Sequence, residues 1–204
     1  MFAYLKAHHR SKLDPRYVEH APRVRADWSD FYGPVKEVIP SDAPPARGLP
    51  VQMTCCVDSN HAGDEVNRRS RTGVLIFCNS SPILWHGKKQ TSIETSSFGS
   101  EFSAMKTGVE LVEGLRYKLR MLGVGLDGPT YVRADNMSVV HNSSNPASQL
   151  KKKCHSVAYH YTRERCCSGA CCVSFVPSAH NLVDMLTKSQ PGDVRRQLTN
   201  QVLF

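Results

Sequence analysis

The sequence predicts a single α/β domain, and three observations support this fold class. Short apolar runs typical of strands alternate with segments of helical periodicity, in the order β-β-β-α-β-α-α-β-α. Hydrophobic residues make up 40% of the 204 residues and charged residues 22%, which is enough apolar material for one core. No run approaches the roughly 18 apolar residues of a membrane span, and no apolar leader opens the sequence. A secreted or integral membrane protein is therefore disfavoured.

The first fifty residues differ in composition from the rest of the chain. They hold seven of the twelve prolines, and proline is excluded from most positions of a long helix or a central strand. We therefore expect residues 1–50 to be a linker or the remnant of a connection, residues 51–190 to be the domain, and residues 191–204 to be a tail.

Three apolar runs after residue 50 predict an antiparallel meander. They cover residues 53–57, 73–78 and 82–86, and the turns between them are short or basic. The first of these strands ends at Asp58.

A long helix is predicted to follow the meander, from Ser96 to about Leu122. Apolar residues recur there at spacings of three and four, and Gly123 ends the pattern. A fourth strand at residues 130–134 ends at Asp135. The remaining predictions are helices at 136–141, about 150–165 and 181–188, and a fifth strand at 172–176.

Four acidic residues stand at the boundaries of these elements: Asp58, Glu101, Asp135 and Asp184. Because parallel strands collect their carboxyl ends at one edge of a sheet, Asp58 and Asp135 would meet if their strands were neighbours. Clustered carboxylates repel one another, and no basic sequence flanks each of them closely enough to neutralise the group. Mg²⁺ would neutralise it, and two such ions suit hydrolysis at phosphorus. Taken singly, each residue is better explained as a helix cap or turn residue, so spacing alone leaves the metal site open.

Seven blocks of sequence between residues 51 and 188 resemble the motifs of a known protein family. They are residues 57–64, 68–73, 88–90, 95–102, 134–138, 159–164 and 181–188. Together, and in this order, they closely resemble the ribonuclease H domain of copia-type retrotransposon Pol polyproteins. Residues 4–9 are similar to the segment that joins reverse transcriptase to ribonuclease H in those polyproteins. Because the Tyr-x-Asp-Asp type of polymerase motif is absent, the resemblance implies a C-terminal fragment without the reverse transcriptase core.

The resemblance implies a ribonuclease H-like fold, a five-stranded mixed sheet flanked by helices. It also implies hydrolysis of the RNA strand of RNA–DNA hybrids during reverse transcription, with the reverse transcriptase domain of the same element as a partner. The family's catalytic and metal-binding acids fall on Asp58, Glu101, Asp135 and Asp184. Asp58 would contact two Mg²⁺ ions, for which Mn²⁺ is a possible substitute. Glu101 and Asp135 would complete the site of one ion, and Asp184 that of the other.

This chain departs from the family pattern at two positions. Asn60 stands where the family commonly has a second acidic residue, which is not among the metal ligands. Cys154 stands where some relatives carry a histidine, in a segment that varies within the family.

The net charge of +8, from 26 Lys and Arg against 18 Asp and Glu, favours nucleic acid over a membrane surface as the partner. Basic turns would contact the phosphates of a hybrid, and polar side chains would sense its 2′-hydroxyl groups. The candidates for nucleic-acid binding are Asn60, Arg69, Lys88, Lys89, Ser97 and Asn136. Residues 151–153, all lysine, are explained equally well as a solvated surface. We expect Arg116, Lys118 and Arg120 on the outer side of the long helix, in contact with solvent.

The cysteines and histidines leave other hypotheses open. Six of the eight cysteines form adjacent pairs and no C-x-x-C spacing occurs, which favours reduced thiols in an intracellular protein, cytoplasmic or nuclear. A zinc-binding module is the less favoured alternative, with Cys154, His155, His160 and Cys166 as its ligands. His180 would assist product release or be a surface residue. A catalytically inactive, nucleic-acid-binding remnant is the alternative to an enzyme.

Overall fold

A five-stranded mixed sheet forms the centre of the computed structural model, which describes residues 27–202. In chain order the elements are α1 (Ser29–Tyr32), β1 (Arg47–Val51), β2 (Met53–Asn60), β3 (Arg71–Cys78), β4 (Ser81–Lys89), α2 (Ser97–Met121), β5 (Val124–Leu126), β6 (Thr130–Ala134), α3 (Met137–Ser144), α4 (Ser156–Cys167), β7 (Cys171–Phe175), α5 (Asp184–Thr187) and α6 (Gly192–Val202). The strand order is β4-β3-β2-β6-β7. The first three strands of the sheet are antiparallel, whereas β6 is parallel to β2 and to β7. The predicted mixed sheet with its antiparallel meander is confirmed.

Helix α2 covers one face of the sheet, because its apolar side chains recur on one side. Phe102, Met105 and Val109 are fully buried in the core that they form with β2 and β3. A Cβ atom at Gly108 would lie 2.5 Å from the Val57 Cγ1 atom, so glycine allows the helix to approach β2 closely. The helix therefore holds a fixed position relative to the end of β2.

The opposite face of the sheet is covered by α5, α6 and the segment before α5. Leu182, Val183, Leu198 and Val202 pack there against Cys56, Leu75 and Phe77 of β2 and β3. Asn181 anchors this segment, because its Nδ2 atom donates a hydrogen bond to the buried Val57 carbonyl at 3.1 Å. Both faces of the strand that carries Asp58 are thus buried.

The structure extends beyond two of the predicted domain boundaries. Strand β1 begins at Arg47 and pairs in parallel with β5, although a linker was expected up to residue 50. Residues 192–202 of the expected tail form α6. Its apolar side chains at 198 and 202 pack against apolar residues of the sheet. Residues 1–26 of the expected linker, including the segment at 4–9, lie outside the described residues.

Two helix predictions in the C-terminal half were too long. The helix expected at about 150–165 begins only at Ser156, after a 3-10 turn at Lys153–His155. The helix expected at 181–188 is reduced to α5, since Asn181 has an extended backbone conformation that places its amide against β2. Tertiary hydrogen bonding here outweighs the local helical pattern.

An ion cluster fastens the segment before β1 to helix α2. The Arg116 Nε and Nη2 atoms donate to the two carboxylate oxygens of Glu37 at 2.7 and 2.8 Å. Arg120 donates to the same carboxylate. The expectation that both arginines lie in solvent was wrong, since the Arg116 side chain is only 3% exposed, while Lys118 is exposed as expected. The acidic partner lies 79 residues away in the sequence, so the helical pattern could not indicate it.

We expect Glu37→Gln to lower the free energy of unfolding at neutral pH by about 1–2 kcal/mol, a value reduced by solvent screening of this partly exposed group. Burial alone would raise the Glu37 pKa, but hydrogen bonds from Arg116 and Arg120 lower it from 4.5 to about 2. A carboxylate with a lowered pKa stabilises the fold above its unfolded pKa. This contribution is therefore present above pH 4.5 and is lost as the pH falls through about 2.

Urea unfolding at neutral and acidic pH would measure this contribution. The loss of stability on acidification should shrink in Glu37→Gln and stay as in the wild type in Glu65→Gln, which changes an exposed carboxylate. An unchanged pH dependence in Glu37→Gln would contradict the assignment.

A buried arginine forms the second attachment of the N-terminal segment. The Arg163 guanidinium, on α4, lies 4.9 Å from the ring centre of Trp28 and 4.5 Å from that of Tyr159. It donates hydrogen bonds to the carbonyls of Asn145 at 2.8 Å and Pro146 at 2.6 Å. Its charge is held by carbonyl dipoles and aromatic faces, and the residue is 1% exposed. Arg163 thus joins α1, α4 and the loop that follows α3.

Candidate functional site

Three of the four predicted acidic residues converge at one edge of the sheet. Asp58 lies near the C-terminal end of β2 and Asp135 directly follows β6, so the parallel pairing of these strands brings their carboxylates together. One carboxylate oxygen each of Asp58, Asp135 and Asp184 lies within 4.8 Å of the other two. Within residues 27–202, this is the one group of three or more His, Cys, Asp and Glu side chains arranged in this way.

Helix α5 carries Asp184 into this group because glycine in β3 leaves room for it. A Cβ atom at Gly73 would lie 2.5 Å from Thr187 Cγ2 and 2.5 Å from Val183 Cγ1. Since Gly73 pairs with Asp58 across β2 and β3, the helix lies directly beside that carboxylate. The close approach therefore depends on a residue without a side chain.

Glu101 lies in the first part of α2, beside the same group. It is 8% exposed, and its Oε2 atom is buried without a hydrogen-bond partner among the described residues. Burial raises the pKa of Glu101 to about 9, with further contributions from the nearby charges of Asp58 and Asp135. A bound cation would satisfy this oxygen, which otherwise carries the cost of an unpartnered buried acceptor.

Two residues that the sequence reasoning missed complete the site. The Lys188 Nζ atom lies 2.7 Å from Asp184 Oδ1 and 3.5 Å from Asp58 Oδ1. The Thr187 hydroxyl donates a hydrogen bond to Asp58 Oδ2. The sequence reasoning considered only basic sequence flanking each carboxylate and did not foresee that a single lysine contacts two of them. The spacing of four residues between Asp184 and Lys188, typical of helical ion pairs, was the available signal.

Opposing effects act on the charges of this site. Burial raises the pKa of Asp58, while the hydrogen bond from Thr187 and the charge of Lys188 partly oppose this effect. Burial would lower the pKa of Lys188, but the hydrogen bond to Asp184 and the charges of Asp58 and Asp184 raise it overall. Lys188 is therefore held in its charged form by the acidic group.

The basic candidates for nucleic-acid binding lie at the same end of the sheet as the carboxylates. Asn60 pairs with Arg71 at the end of β2, and Lys88 lies at the end of β4, so the loop that carries Arg69 projects from this edge. Arg69, Lys88 and Lys89 are exposed, although Lys89 forms an ion pair with Asp64. The edge therefore combines buried and partly buried acidic groups with an exposed basic border.

Two of the polar candidates for nucleic-acid binding, Asn60 and Asn136, make hydrogen bonds within the protein. The Asn136 Oδ1 atom caps α3 by accepting hydrogen bonds from the Ser138 and Val139 amides at 3.1 and 3.2 Å. The Asn60 Nδ2 atom donates to the Thr187 carbonyl at 3.3 Å, which ties β2 to α5. Ser97 is exposed in the first turn of α2.

The ligands of the alternative zinc site do not converge. The His155 ring packs against Phe98 and lies near Glu94, whereas the His160 Nδ1 atom lies 2.8 Å from the Tyr32 hydroxyl oxygen. Cys166 lies 3.6 Å from Cys171, sulfur to sulfur, and Cys154 is exposed. All eight cysteines are free thiols, as expected. The histidine with a suggested role in product release, His180, is exposed in a 3-10 turn, and the lysines at 151–153 are exposed.

The sequence is similar to plant retrotransposon proteins. It is 28% identical over 142 residues to the retrovirus-related Pol polyprotein from transposon RE1 of Arabidopsis thaliana, covering 70% of this chain and 10% of that protein. The corresponding polyprotein from transposon TNT 1-94 of Nicotiana tabacum is 32% identical over 136 residues, or 66% of this chain and 10% of that protein. The chain thus spans about a tenth of the length of these relatives. No family model matches the sequence.

Solved structures share the fold of this chain. Ribonuclease H1 from Halobacterium salinarum superposes with a TM-score of 0.51 at 14% identity, covering 67% of this chain and 94% of that one. The chain belongs to the ribonuclease H domains of copia-type Pol polyproteins. A second structure, LC11 ribonuclease H1 in complex with an RNA/DNA hybrid, superposes on this domain with a TM-score of 0.52 at 16% identity, again covering 67% and 94%. The predicted family and the ribonuclease H-like fold are confirmed.

No helix of the domain between residues 27 and 202 is long and apolar enough to cross a lipid bilayer.

Proposed function

We propose that this domain is a metal-dependent ribonuclease that hydrolyses the RNA strand of RNA–DNA hybrids during reverse transcription. The observation that carries the proposal is the convergence of Asp58, Asp135 and Asp184, with Glu101 buried beside them, at one edge of the sheet. A structural role does not account for this arrangement, since it places like charges together at a cost in stability.

The four carboxylates fit divalent metal ions of the magnesium type. All potential ligand atoms are hard oxygens, which Mg²⁺ and Mn²⁺ prefer. The buried Oε2 atom of Glu101, which accepts no hydrogen bond from the described residues, is available to such an ion. Asp58, Glu101, Asp135 and Asp184 would hold the ions. When bound, the ions would polarise the scissile phosphate and lower the pKa of a water molecule.

The residues of the chain itself position the carboxylates and the substrate. Thr187 and Lys188 orient the Asp58 carboxylate through its two oxygens, and Gly73 sets the distance of α5 from β2. Exposed Arg69 and Lys88 lie where they would contact the phosphates of a duplex at this edge, and such contacts position a backbone without reading its sequence. Ser97 and the amides of Asn60 and Asn136 would face the 2′-hydroxyl groups that distinguish RNA from DNA.

Cleavage of defined substrates tests this proposal. With Mg²⁺ or Mn²⁺, the purified protein should cut the RNA of an RNA–DNA hybrid, and it should leave single-stranded RNA and double-stranded DNA intact. EDTA should abolish cleavage. A folded protein that binds the hybrid equally well in EDTA and cuts it with neither ion would instead support the inactive, nucleic-acid-binding remnant.

The reverse transcriptase domain of the same element is the proposed partner of this domain, and an intracellular compartment is its proposed site of action. The related Pol polyproteins, of which this chain spans about a tenth, support the first of these proposals.

A further inference from the structure

Lys188 lies between the carboxylates of Asp58 and Asp184, which form one half of the acidic site, whereas Glu101 lies in the other half. The lysine ammonium nitrogen lies 2.7 Å from Asp184 Oδ1 and 3.5 Å from Asp58 Oδ1. The Asp58 side chain is 1% exposed and that of Asp184 15%, so a cation at this point is poorly screened by water. The lysine therefore takes the electrostatic role that a metal ion would have between these two carboxylates.

The other half of the site lies beside Glu101, which the charge of Lys188 reaches without a hydrogen bond. The Oε2 atom of Glu101 is buried and accepts no hydrogen bond from the described residues. The hydrogen bonds of the Lys188 ammonium go to Asp58 and Asp184. The two halves of the acidic site thus differ: one presents an unpartnered carboxylate oxygen, and the other already holds one positive charge between two carboxylates.

We propose that Lys188 is a tethered cation that offsets part of the negative charge of Asp58 and Asp184 in the metal-free protein and withdraws when a divalent ion binds between them. The proposal rests on the metal-dependent function proposed above. Mg²⁺ requires direct oxygen ligands at about 2.0–2.1 Å, so it competes with the ammonium group for the same carboxylate oxygens. The half of the site at Glu101 would bind an ion first, and the half at Lys188 would bind one more weakly.

The lysine side chain is able to make this movement. It is 35% exposed and caps the C-terminal end of α5 with an extended backbone conformation, so its flexible stem has a route to solvent. Lys188 is therefore a positioning residue that controls metal loading, rather than a ligand or a group that reacts with the substrate.

Calorimetric titration of the metal-free protein with Mn²⁺, without nucleic acid, tests the proposal. If Lys188 occupies its position about nine-tenths of the time, its removal should tighten the weaker binding event on the order of tenfold. Lys188→Met should show this gain, and its metal-free form should melt at a lower temperature than the wild type because the carboxylates then repel one another. Lys106→Met, which removes an exposed lysine from an (i, i+4) ion pair with Glu110, should bind Mn²⁺ as the wild type does.

Equal or weaker Mn²⁺ binding by Lys188→Met would overturn the proposal, because the lysine would then support the carboxylates without competing for them. Lys188→Gln provides the same comparison if the methionine variant does not fold. A second bound ion that appears only in the variants would also support the proposal. Absence of Mn²⁺ binding in the wild type and in both variants would overturn the metal-dependent function itself, so the two failures are distinguishable.

Discussion

Asp58→Asn is expected to abolish hybrid cleavage while leaving the protein folded. Asp58 is the carboxylate that would contact both metal ions, so the substitution should lower the cleavage rate by more than the roughly 10–100-fold typical of residues that merely orient metal ligands. The fold should persist because an asparagine oxygen still accepts the hydrogen bond of the Thr187 hydroxyl. The change also removes one charge from a group of like charges, so the free energy of unfolding of the metal-free protein should fall little or not at all.

Cleavage rates with Mg²⁺, together with urea unfolding of each protein, measure this result. Asp127→Asn is the matched control, because it makes the same chemical change at an exposed carboxylate before β6, at the opposite end of that strand from Asp135. The control should cleave the hybrid at the wild-type rate. Retention of full activity by Asp58→Asn would refute the assignment of the site.

Arg163→Met should have the largest effect on stability, a decrease of about 3–5 kcal/mol in the free energy of unfolding. The guanidinium is buried and donates to the carbonyls of Asn145 and Pro146 and to the Ser148 hydroxyl. Methionine fills a similar volume but removes the Arg163 donor from the Pro146 carbonyl, at a cost of roughly 1–3 kcal/mol, and leaves the Asn145 carbonyl with only the Ser148 backbone amide as donor. The contact with the ring of Trp28, and with it the attachment of α1, would be weakened as well.

Chemical unfolding of three variants separates these contributions. Arg163→Lys should be intermediate, because a single ammonium group cannot reproduce the forked set of hydrogen bonds. Arg196→Met changes an arginine that is 75% exposed in α6 and should alter the free energy of unfolding by less than about 0.5 kcal/mol. A loss of under 1 kcal/mol in Arg163→Met would show that the interior tolerates these carbonyls without their donor.

Patterns confined to short stretches of sequence predicted most of the sheet and the long helix. The meander followed from three apolar runs with short turns, and α2 followed from the spacing of Phe102, Met105 and Val109. The helix predicted at 181–188 failed because Asn181 bonds to β2, a strand more than a hundred residues earlier. Local periodicity carries no information on such a contact.

The candidate site was likewise predicted where local sequence carries the information and missed where it depends on distant contacts. The four acidic residues were predicted from their positions at element boundaries and from the resemblance of the blocks around them, and the parallel pairing of β2 and β6 brings two of these residues together. Lys188 was missed, although it stands in one of those blocks, because its contact with Asp58 depends on how α5 packs over Gly73. Arg116 was misplaced for a similar reason, since its partner Glu37 lies in a segment expected to be a linker.

By itself, the sequence determined the chain order of the five strands in the central sheet, the identity of the acidic residues and the excess of positive charge. Only the tertiary structure decided that a lysine lies within the acidic group and that buried arginines fasten the N-terminal segment. The physical reason is that these charges acquire their partners across separations of 79 to 131 residues. The strength of the interaction between each of these charges and its partner depends on burial, which local sequence does not specify.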